Sequence, residues 1–377
     1  MTSLLETEDE TLLRDAARGF LADASPVKAL RENRDQGRAY DAGLWREMAQ
    51  MGWAGVLIPE DQGGADMGHR AAGILSEEMG NVLSASPFIS TAVMAATALR
   101  NCASDRAKQA LTQIAEGGVT YAIAVDEGAK HNPARTALRA EKSGNAYRLS
   151  GVKTFVADGA SADRLLVLAR TAGTTGDAAG LTLFDIDAAR AGISRDSKPT
   201  VDSRDHARIT LENVAATGED IVGELDNGLV TLRHGIQAGQ AALAAELTGV
   251  AGGAYGMTVA YLKERKQFDR TIGSFQALQH RAAHLWSEIE VTTSAIINAG
   301  RVLDAAPDDA ALAVSLAKAR ATATAKLAVS EGVQMHGGIG MTDEFDIGFY
   351  MKRARVGAEW LGDYGYHAAL IAAARGF

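Results

Sequence analysis

The sequence predicts an α+β protein made of an N-terminal helical domain over residues 1–115, a central β domain of barrel or sandwich type over 116–225, and a C-terminal four-helix bundle over 226–377. Three observations lead there. Apolar residues recur near helical spacing up to about residue 115; short strand-like runs then follow one another between turn residues; and from residue 226 the helical period returns in its longest form.

In the first part, Leu12, Leu13, Ala16, Ala17, Phe20 and Leu21 keep helical spacing, and Ile74, Leu75 and Met79 do so again, with Glu77 and Glu78 assigned to the wetter side. Between these stretches, Pro59 and the paired Gly63-Gly64 exclude helix interior, so 52–64 is expected as an extended loop. Strands are expected at 121–125, 146–149, 165–168 and 181–184, set apart by Ser143-Gly144-Asn145, Ser150-Gly151 and Thr175-Gly176-Asp177. In the last part, Phe275, Leu278, Ala282, Leu285, Ile289, Thr292, Ile296, Ala299 and Leu303 alternate by three and four residues, which predicts one buried seam along a long helix.

Bulk properties narrow the function. At 377 residues the chain has room for two or three domains and a large core. A formal net charge of −9 argues against general nucleic-acid binding, which needs a basic face, but leaves room for an anionic ligand on a local basic patch. Cys102 is the single cysteine, so neither an intrachain disulfide nor a thiolate metal cluster can form, and any redox role must come from a bound cofactor. No run approaches eighteen uninterrupted apolar residues, and the opening stretch is acidic where a secretory signal would be basic; a cytoplasmic protein without membrane insertion is expected. His280 and His284 share a helix face, but no metal site is expected from them, from His336 or from His367. Trp53, Trp286 and Trp360 read as packing residues.

Two segments carry chemistry: Arg265-Lys266-Gln267-Phe268 with Phe275-Gln276, and Gln334-Met335-His336-Gly337-Gly338-Ile339-Gly340-Met341. Arg265 offers a fork of charge-assisted donors suited to a pyrophosphate, Phe268 a flat apolar surface, and Gln276 and Gln334 side-chain amides. Gly337 and Gly338 lack Cβ atoms and let a ligand come close to the backbone beside Met335. Together these segments resemble the flavin-binding signature of the acyl-CoA dehydrogenases, in which Arg, aromatic and Gln residues reach a neighbouring subunit's FAD. The likeness spans nearly the whole chain: 52–64 resembles the family's Pro-Glu loop ending in a Gly pair, Ser76-Glu77-Glu78-Met79-Gly80 its helix, and Leu149-Ser150-Gly151-Val152-Lys153 its central hairpin. It implies FAD as cofactor, an acyl-CoA substrate, α,β-dehydrogenation, and an electron-transfer flavoprotein as acceptor.

The chain departs from the family at two places. Carried over residue by residue, the family's own-flavin contacts fall on Ala124, Phe155 and Ala157, where Thr, Trp and Thr are usual, and 128–133 replaces the usual Gly-Ser-Asp stretch. Two lost hydrogen bonds cost on the order of 1 kcal/mol each. Removal of the substrate's α-proton requires a carboxylate, yet the family's two positions for it fall on Gly362 and Gly239. Asp363 and Glu246 stand nearby as candidate bases, with a helix cap and a paired structural charge as their alternative roles. Trp360 precedes the segment that lost the base and could line an acyl pocket. Leu361-Gly362-Asp363-Tyr364-Gly365-Tyr366-His367 and 241–246 are similar to the smaller subunits of heteromeric members, such as pimeloyl-CoA and steroid side-chain enzymes. This implies a mixed α2β2 tetramer with a larger, base-carrying subunit. A self-sufficient homo-oligomer with a relocated base and a flavin-free scaffold remain the alternatives.

Overall fold

A computed structural model describes residues 6–198 and 200–377. The chain forms two compact units: a helical one from residues up to Glu32, His69–Ser84 and Gln240–Phe377, and a sheet-containing one from Asn33–Gly68 and Ala85–Gly239.

The N-terminal helices are α1 (Glu8–Ala24), α2 (Val27–Asp35), α3 (Ala42–Gln50) and α4 (Gly68–Asn81). A π-wound stretch, Phe88–Ala95, then runs into α5 (Ala96–Arg100), and α6 (Asp105–Ala115) follows. Thr7 caps α1 by accepting a hydrogen bond from the Glu10 backbone N–H at 3.2 Å, and acidic residues fill its first turn, as the helix dipole favours. Of the apolar positions read from sequence, Ala17 and Leu21 are fully buried.

Two expectations are corrected here. The 52–64 segment is a series of tight turns ending in a 3-10 turn at Glu60–Gln62, and Trp53, Val56, Leu57 and Ile58 are buried. Its apolar content packs inward, which an extended surface loop could not achieve. Glu78 is buried too: Arg14 pairs with it at 2.7 Å and Arg18 at 2.9 Å, while Arg14 reaches Glu77 at 2.9 Å. Pairing with cations from α1 is what permits buried carboxylates on this helix.

The central strands are β1 (Tyr121–Ala124), β2 (Arg139–Ser143), β3 (Ala146–Ala157), β4 (Arg164–Arg170), β5 (Leu181–Asp187), β6 (Ile193–Ser197), β7 (His206–Thr217) and β8 (Ile221–Val222). They form one eight-stranded sheet in the order β6-β7-β3-β2-β4-β5-β8, with β1 parallel to β4. Apolar residues from β1 to β7, among them Ala124, Leu149, Val167, Phe184 and Ile209, share a single core, so the sheet curls around its own interior. Ser150-Gly151 does not separate two strands; it is a bulge inside β3, where pairing with β7 shifts between Leu149 and Gly151.

The C-terminal helices are α7 (Gly228–Glu264), α8 (Gln276–Ala305), α9 (Ala311–His336), α10 (Ile347–Glu359) and α11 (Tyr364–Ala374), with a short hairpin β9 (Lys266–Gln267) and β10 (Arg270–Thr271) before α8. The expected seam is buried from Leu285 to Leu303, where Thr292 and Thr324 share a hydrogen bond of 2.7 Å between α8 and α9. Phe275, Leu278 and Ala282, at its start, are only half-buried, and Trp286 is exposed. In the helical unit, α4 and α7 approach at two glycines: a Cβ on Gly80 would lie 2.1 Å from the Glu246 carbonyl oxygen, and one on Gly249 would lie 1.9 Å from that of Glu77. Only glycine permits this backbone contact.

Candidate functional site

Both chemistry-bearing segments lie in the helical unit and converge at one end of its bundle. Phe268 and Asp269 form the β9–β10 turn with φ of 54° and 60°, the left-handed pair of a type I′ hairpin. A left-handed non-glycine residue carries about 1 kcal/mol of strain, and the turn holds the Phe268 ring out at 85% exposure. Its base is fixed by Ile272 N–H donating to the Arg265 carbonyl at 2.8 Å. The Arg270 guanidinium lies 4.0 Å from the centroid of the Phe275 ring. Arg265 and Gln276 are exposed, and α8, 30 residues long, starts without a side-chain cap. An uncapped helix N-terminus beside two arginines presents N–H groups and positive potential suited to a pyrophosphate.

The second segment closes on the first through α9. Arg281 of α8 and Glu331 of α9 pair at 2.5 Å, and the His336 ring at the end of α9 lies between Tyr261 of α7 (4.5 Å) and Phe345 (4.7 Å). His336 Nδ1 meets the Gly332 carbonyl at 2.6 Å, its Nε2 is buried with no hydrogen-bond partner among the described residues, and burial holds the ring below the usual imidazole pKa. Met335 is buried beneath this turn, whereas Gln334, Gly337 and Gly338 are exposed and a Cβ on either glycine would meet open space. Were the FAD that the resemblance implies to bind here, Arg265 and Arg270 would face its pyrophosphate, Phe268 would offer a flat contact, Gln276 and Gln334 amides, and the Gly337-Gly338 backbone beside Met335 room for the adenosine part. When bound, FAD supplies the two-electron oxidising chemistry.

The sheet unit offers less. Ala124 packs into the sheet core and Ala157 is buried, so neither provides a hydroxyl. Phe155, at φ 51° in a second β3 irregularity, stacks on His206 with ring centroids 4.4 Å apart. Burial pushes His206 down to about 4, so it stays neutral near pH 7. The 128–133 loop is tied down: Asp126 accepts from Asn132 N–H at 3.0 Å and contacts His131 at 2.8 Å, and Glu127 accepts from the buried Lys153 ammonium at 2.7 Å.

The two candidate bases make structural contacts. Glu246 is buried on α7 and pairs with the buried Arg353 of α10 at 3.1 Å; Arg353 also approaches the Ser84 and Leu83 carbonyls at 3.4 Å. Asp363 caps α11, accepting from the Tyr366 N–H at 2.8 Å. Gly239 is buried within α7. At Gly362, φ is 101°, and a Cβ would lie 2.4 Å from Tyr366 Cδ1 and 2.9 Å from His367 Nε2. The preceding Leu361 is left-handed as well, at φ 58°. A corner of this shape has no room for a Glu side chain at position 362.

Sequence reasoning missed the groups that build this corner. The buried Lys318 amine of α9 donates to the carbonyls of Gly357 (3.0 Å) and Gly362 (3.1 Å) and contacts the Thr322 hydroxyl at 3.4 Å. Burial pushes it down to about 7, opposed by Asp363 and Glu359. Gln240 of α7 donates to the Leu361 carbonyl at 3.0 Å, and His367 Nε2 lies 3.2 Å from the same oxygen. A signal was present: Lys318 stands in the inward stripe of α9, near Val314, Ala321 and Ala325, where a solvated lysine has no place. His284 of the α8 pair faces Glu288 at 3.7 Å, and among the described residues no group of three or more His, Cys, Asp or Glu side chains is placed to hold a metal ion. No described helix is long and apolar enough to cross a membrane.

Comparison with known proteins shows the family. Residues 226–375 match the acyl-CoA dehydrogenase C-terminal domain and residues 7–118 the N-terminal domain. The chain belongs to the acyl-CoA dehydrogenase family, FAD-dependent oxidoreductases of acyl-CoA thioesters. Among its relatives, acyl-CoA dehydrogenase IpdE2 of Mycobacterium tuberculosis is 32% identical over 355 residues, covering 94% of this chain and 93% of its own. A 3-(aryl)acrylate reductase of Clostridium sporogenes is 29% identical over 363 residues, covering 94% and 95%. Among solved structures, a steroid ACAD variant superposes with a TM-score of 0.86 at 29% identity over 97% of both chains. The helical N-terminal, central sheet and helical C-terminal order expected from the sequence is the fold of this family.

Proposed function

We propose that this chain is the smaller subunit of a heteromeric acyl-CoA dehydrogenase. Its C-terminal bundle completes the site of an FAD seated mainly on a larger partner that carries the catalytic carboxylate. The observation that carries this reading is an asymmetry. Arg265, Phe268, Gln276, Gln334, Gly337 and Gly338 are held outward, intact and open to a ligand, while position 362 carries no carboxylate, its left-handed backbone and close neighbours leave no room for one, and the adjacent Asp363 is taken up in capping α11. In this division of labour, residues 226–377 form the cofactor and oligomer face, 1–115 the helical support and 116–225 the β domain.

Within the assembly, the chain's residues bind and orient. Arg265 and the start of α8 neutralise pyrophosphate charge, Phe268 covers the cofactor, and the Gly337-Gly338 backbone accepts its adenosine end. Proton abstraction falls to the partner, since Glu246 is committed to Arg353 and Asp363 to the α11 cap. The same commitments weigh against a self-sufficient homo-oligomer. The substrate is an acyl-CoA thioester, a steroid side chain being one acyl group consistent with the steroid relative, and an electron-transfer flavoprotein in the cytoplasm accepts the electrons. The test is purification of the chain alone and after co-expression with a longer relative that retains the family Glu. Yellow colour and acyl-CoA-dependent dye reduction are expected only on co-expression. Full flavin loading and turnover by the chain alone would overturn the heteromeric reading, and absence of flavin in both preparations would leave a scaffold.

A further inference from the structure

The two chemistry-bearing segments leave the ends of different helices, α7 and α9, and one buried histidine ties their roots together. Tyr261 stands in the last turn of α7, and its carbonyl accepts from the Arg265 N–H at 2.9 Å. The Tyr261 ring centroid lies 4.5 Å from that of His336 at the end of α9, and 6.1 Å from that of Phe345, which follows the Gly337–Met341 turn. His336 and Phe345 are 4.7 Å apart, so the three rings close on one another. One turn below His336 the two helices come close again: a Cβ on Gly332 would lie 3.1 Å from Thr258 Oγ1 of α7. The His336 ring is held as part of α9. Because the Gly332 carbonyl can only accept, Nδ1 carries the proton that it donates there at 2.6 Å. Nε2 has no partner among the described residues, and a charged ring would add a buried N–H without an acceptor, which agrees with burial holding its pKa down. Directly after it, Gly337 ends the helix at φ 65°, and Gly337 and Gly338 are exposed with open space where a Cβ would stand. The direction in which this turn leaves α9 is therefore set at His336.

We propose that His336 is a positioning residue for the cofactor: through Tyr261 and Phe345 it fixes Arg265, just beyond α7, relative to the Gly337-Gly338 turn, so that pyrophosphate and adenosine contacts are presented to FAD at a set spacing. The proposal rests on the functional reading above and deepens it. His336 is itself buried and acts only through the two segments it joins. Its ring supplies the link between α7 and the turn, and its Nδ1–H pins that ring to α9. Loss of the link lets the two exposed segments move independently, so the effect belongs on the affinity for a ligand long enough to span both.

The experiment uses the full chain assembled with a longer relative that retains the family Glu, and compares the unmodified protein with His336→Asn, His336→Phe and Arg265→Gln. Dissociation constants for FAD and for FMN, which lacks the adenosine end, are read by titrating the apoprotein. His336→Asn keeps a donor for Gly332 but loses both ring contacts, and should weaken FAD about tenfold. His336→Phe keeps the rings and loses the Nδ1–H pin, and should weaken FAD by about threefold. FMN affinity should be the same in the unmodified protein and in both His336 variants. If His336→Asn does not fold, His336→Phe and Phe345→Leu decide, each with FAD weakened about threefold. Unchanged FAD affinity in every folded His336 and Phe345 variant, with FAD weakened in Arg265→Gln, would overturn the proposal and leave the functional reading standing. An equal loss of FAD and FMN would mark a general structural role and overturn it as well. No FAD uptake by the unmodified assembly, or undiminished FAD affinity in Arg265→Gln, would overturn both together.

Discussion

Glu246→Gln separates a structural carboxylate from a catalytic one. Glu246 and Arg353 are both buried and meet at 3.1 Å, so neutralising the carboxylate removes the charge of Glu246 from a guanidinium inside the protein. Breaking one side of such a pair costs about 3–5 kcal/mol. The lower end applies here, because glutamine keeps an acceptor oxygen and Arg353 retains the Ser84 and Leu83 carbonyls at 3.4 Å. About 3 kcal/mol is therefore expected, read as a drop in urea midpoint at unchanged slope with helical circular dichroism as the signal. Turnover per folded assembly should stay within about threefold, since a residue outside the reacting atoms contributes little to the transition state. A midpoint shift worth less than about 1 kcal/mol together with turnover cut by a hundredfold or more would refute this reasoning and restore Glu246 as the base.

Gly362→Ala puts a Cβ 2.4 Å from the Tyr366 ring on a left-handed residue, and should destabilise by about 2–4 kcal/mol in the same urea assay; a change below about 0.5 kcal/mol would mean that the corner yields freely. Stability should also depend on pH through two buried lysines. Burial lowers Lys318 to about 7 and Lys153 to about 8, against 10.5 for a free lysine, so the unfolded chain binds more protons from roughly pH 7 to 10.5 and stability rises with pH across that window. Melting temperatures measured from pH 6.5 to 9.5 should climb in the native protein and climb less in Lys318→Met; identical slopes would show that Lys318 titrates normally.

Much of the fold was legible because it rests on periodicity. The alternation from Leu285 to Leu303 marks a seam that is buried, and the runs at 121, 165 and 181 lie in β1, β4 and β5. Tertiary structure decided the rest. β2 reads Arg-Ala-Glu-Lys-Ser and β6 reads Ile-Ser-Arg-Asp-Ser; both are largely exposed and charged, so no apolar pattern announces them, and pairing with β3 and β7 makes them strands. Glu78 carries the same sequence signal as a solvated glutamate, and its burial depends on Arg14 and Arg18 arriving from 60 or more residues away. At the site, residue types and order marked Arg265, Phe268 and the Gly337-Gly338 pair, because each offers chemistry of its own. The corner around Gly362 was legible only as a missing carboxylate. Its Lys318, Gln240 and His367 donors act through backbone carbonyls that become neighbours only on folding.

The central claim is that the exposed end of this bundle binds FAD held by a partner. Arg265→Gln and Phe268→Ala test it most directly, since both side chains are exposed and neither supports the core. Removing the charge-assisted contact of Arg265 should cost about 1.5–3 kcal/mol of cofactor affinity, or roughly tenfold to a hundredfold. Flavin absorbance near the visible flavin band, titrated against added FAD in the mixed assembly, should show that weakening with an unchanged melting temperature of the apoprotein. Undiminished FAD affinity in both variants would contradict the account.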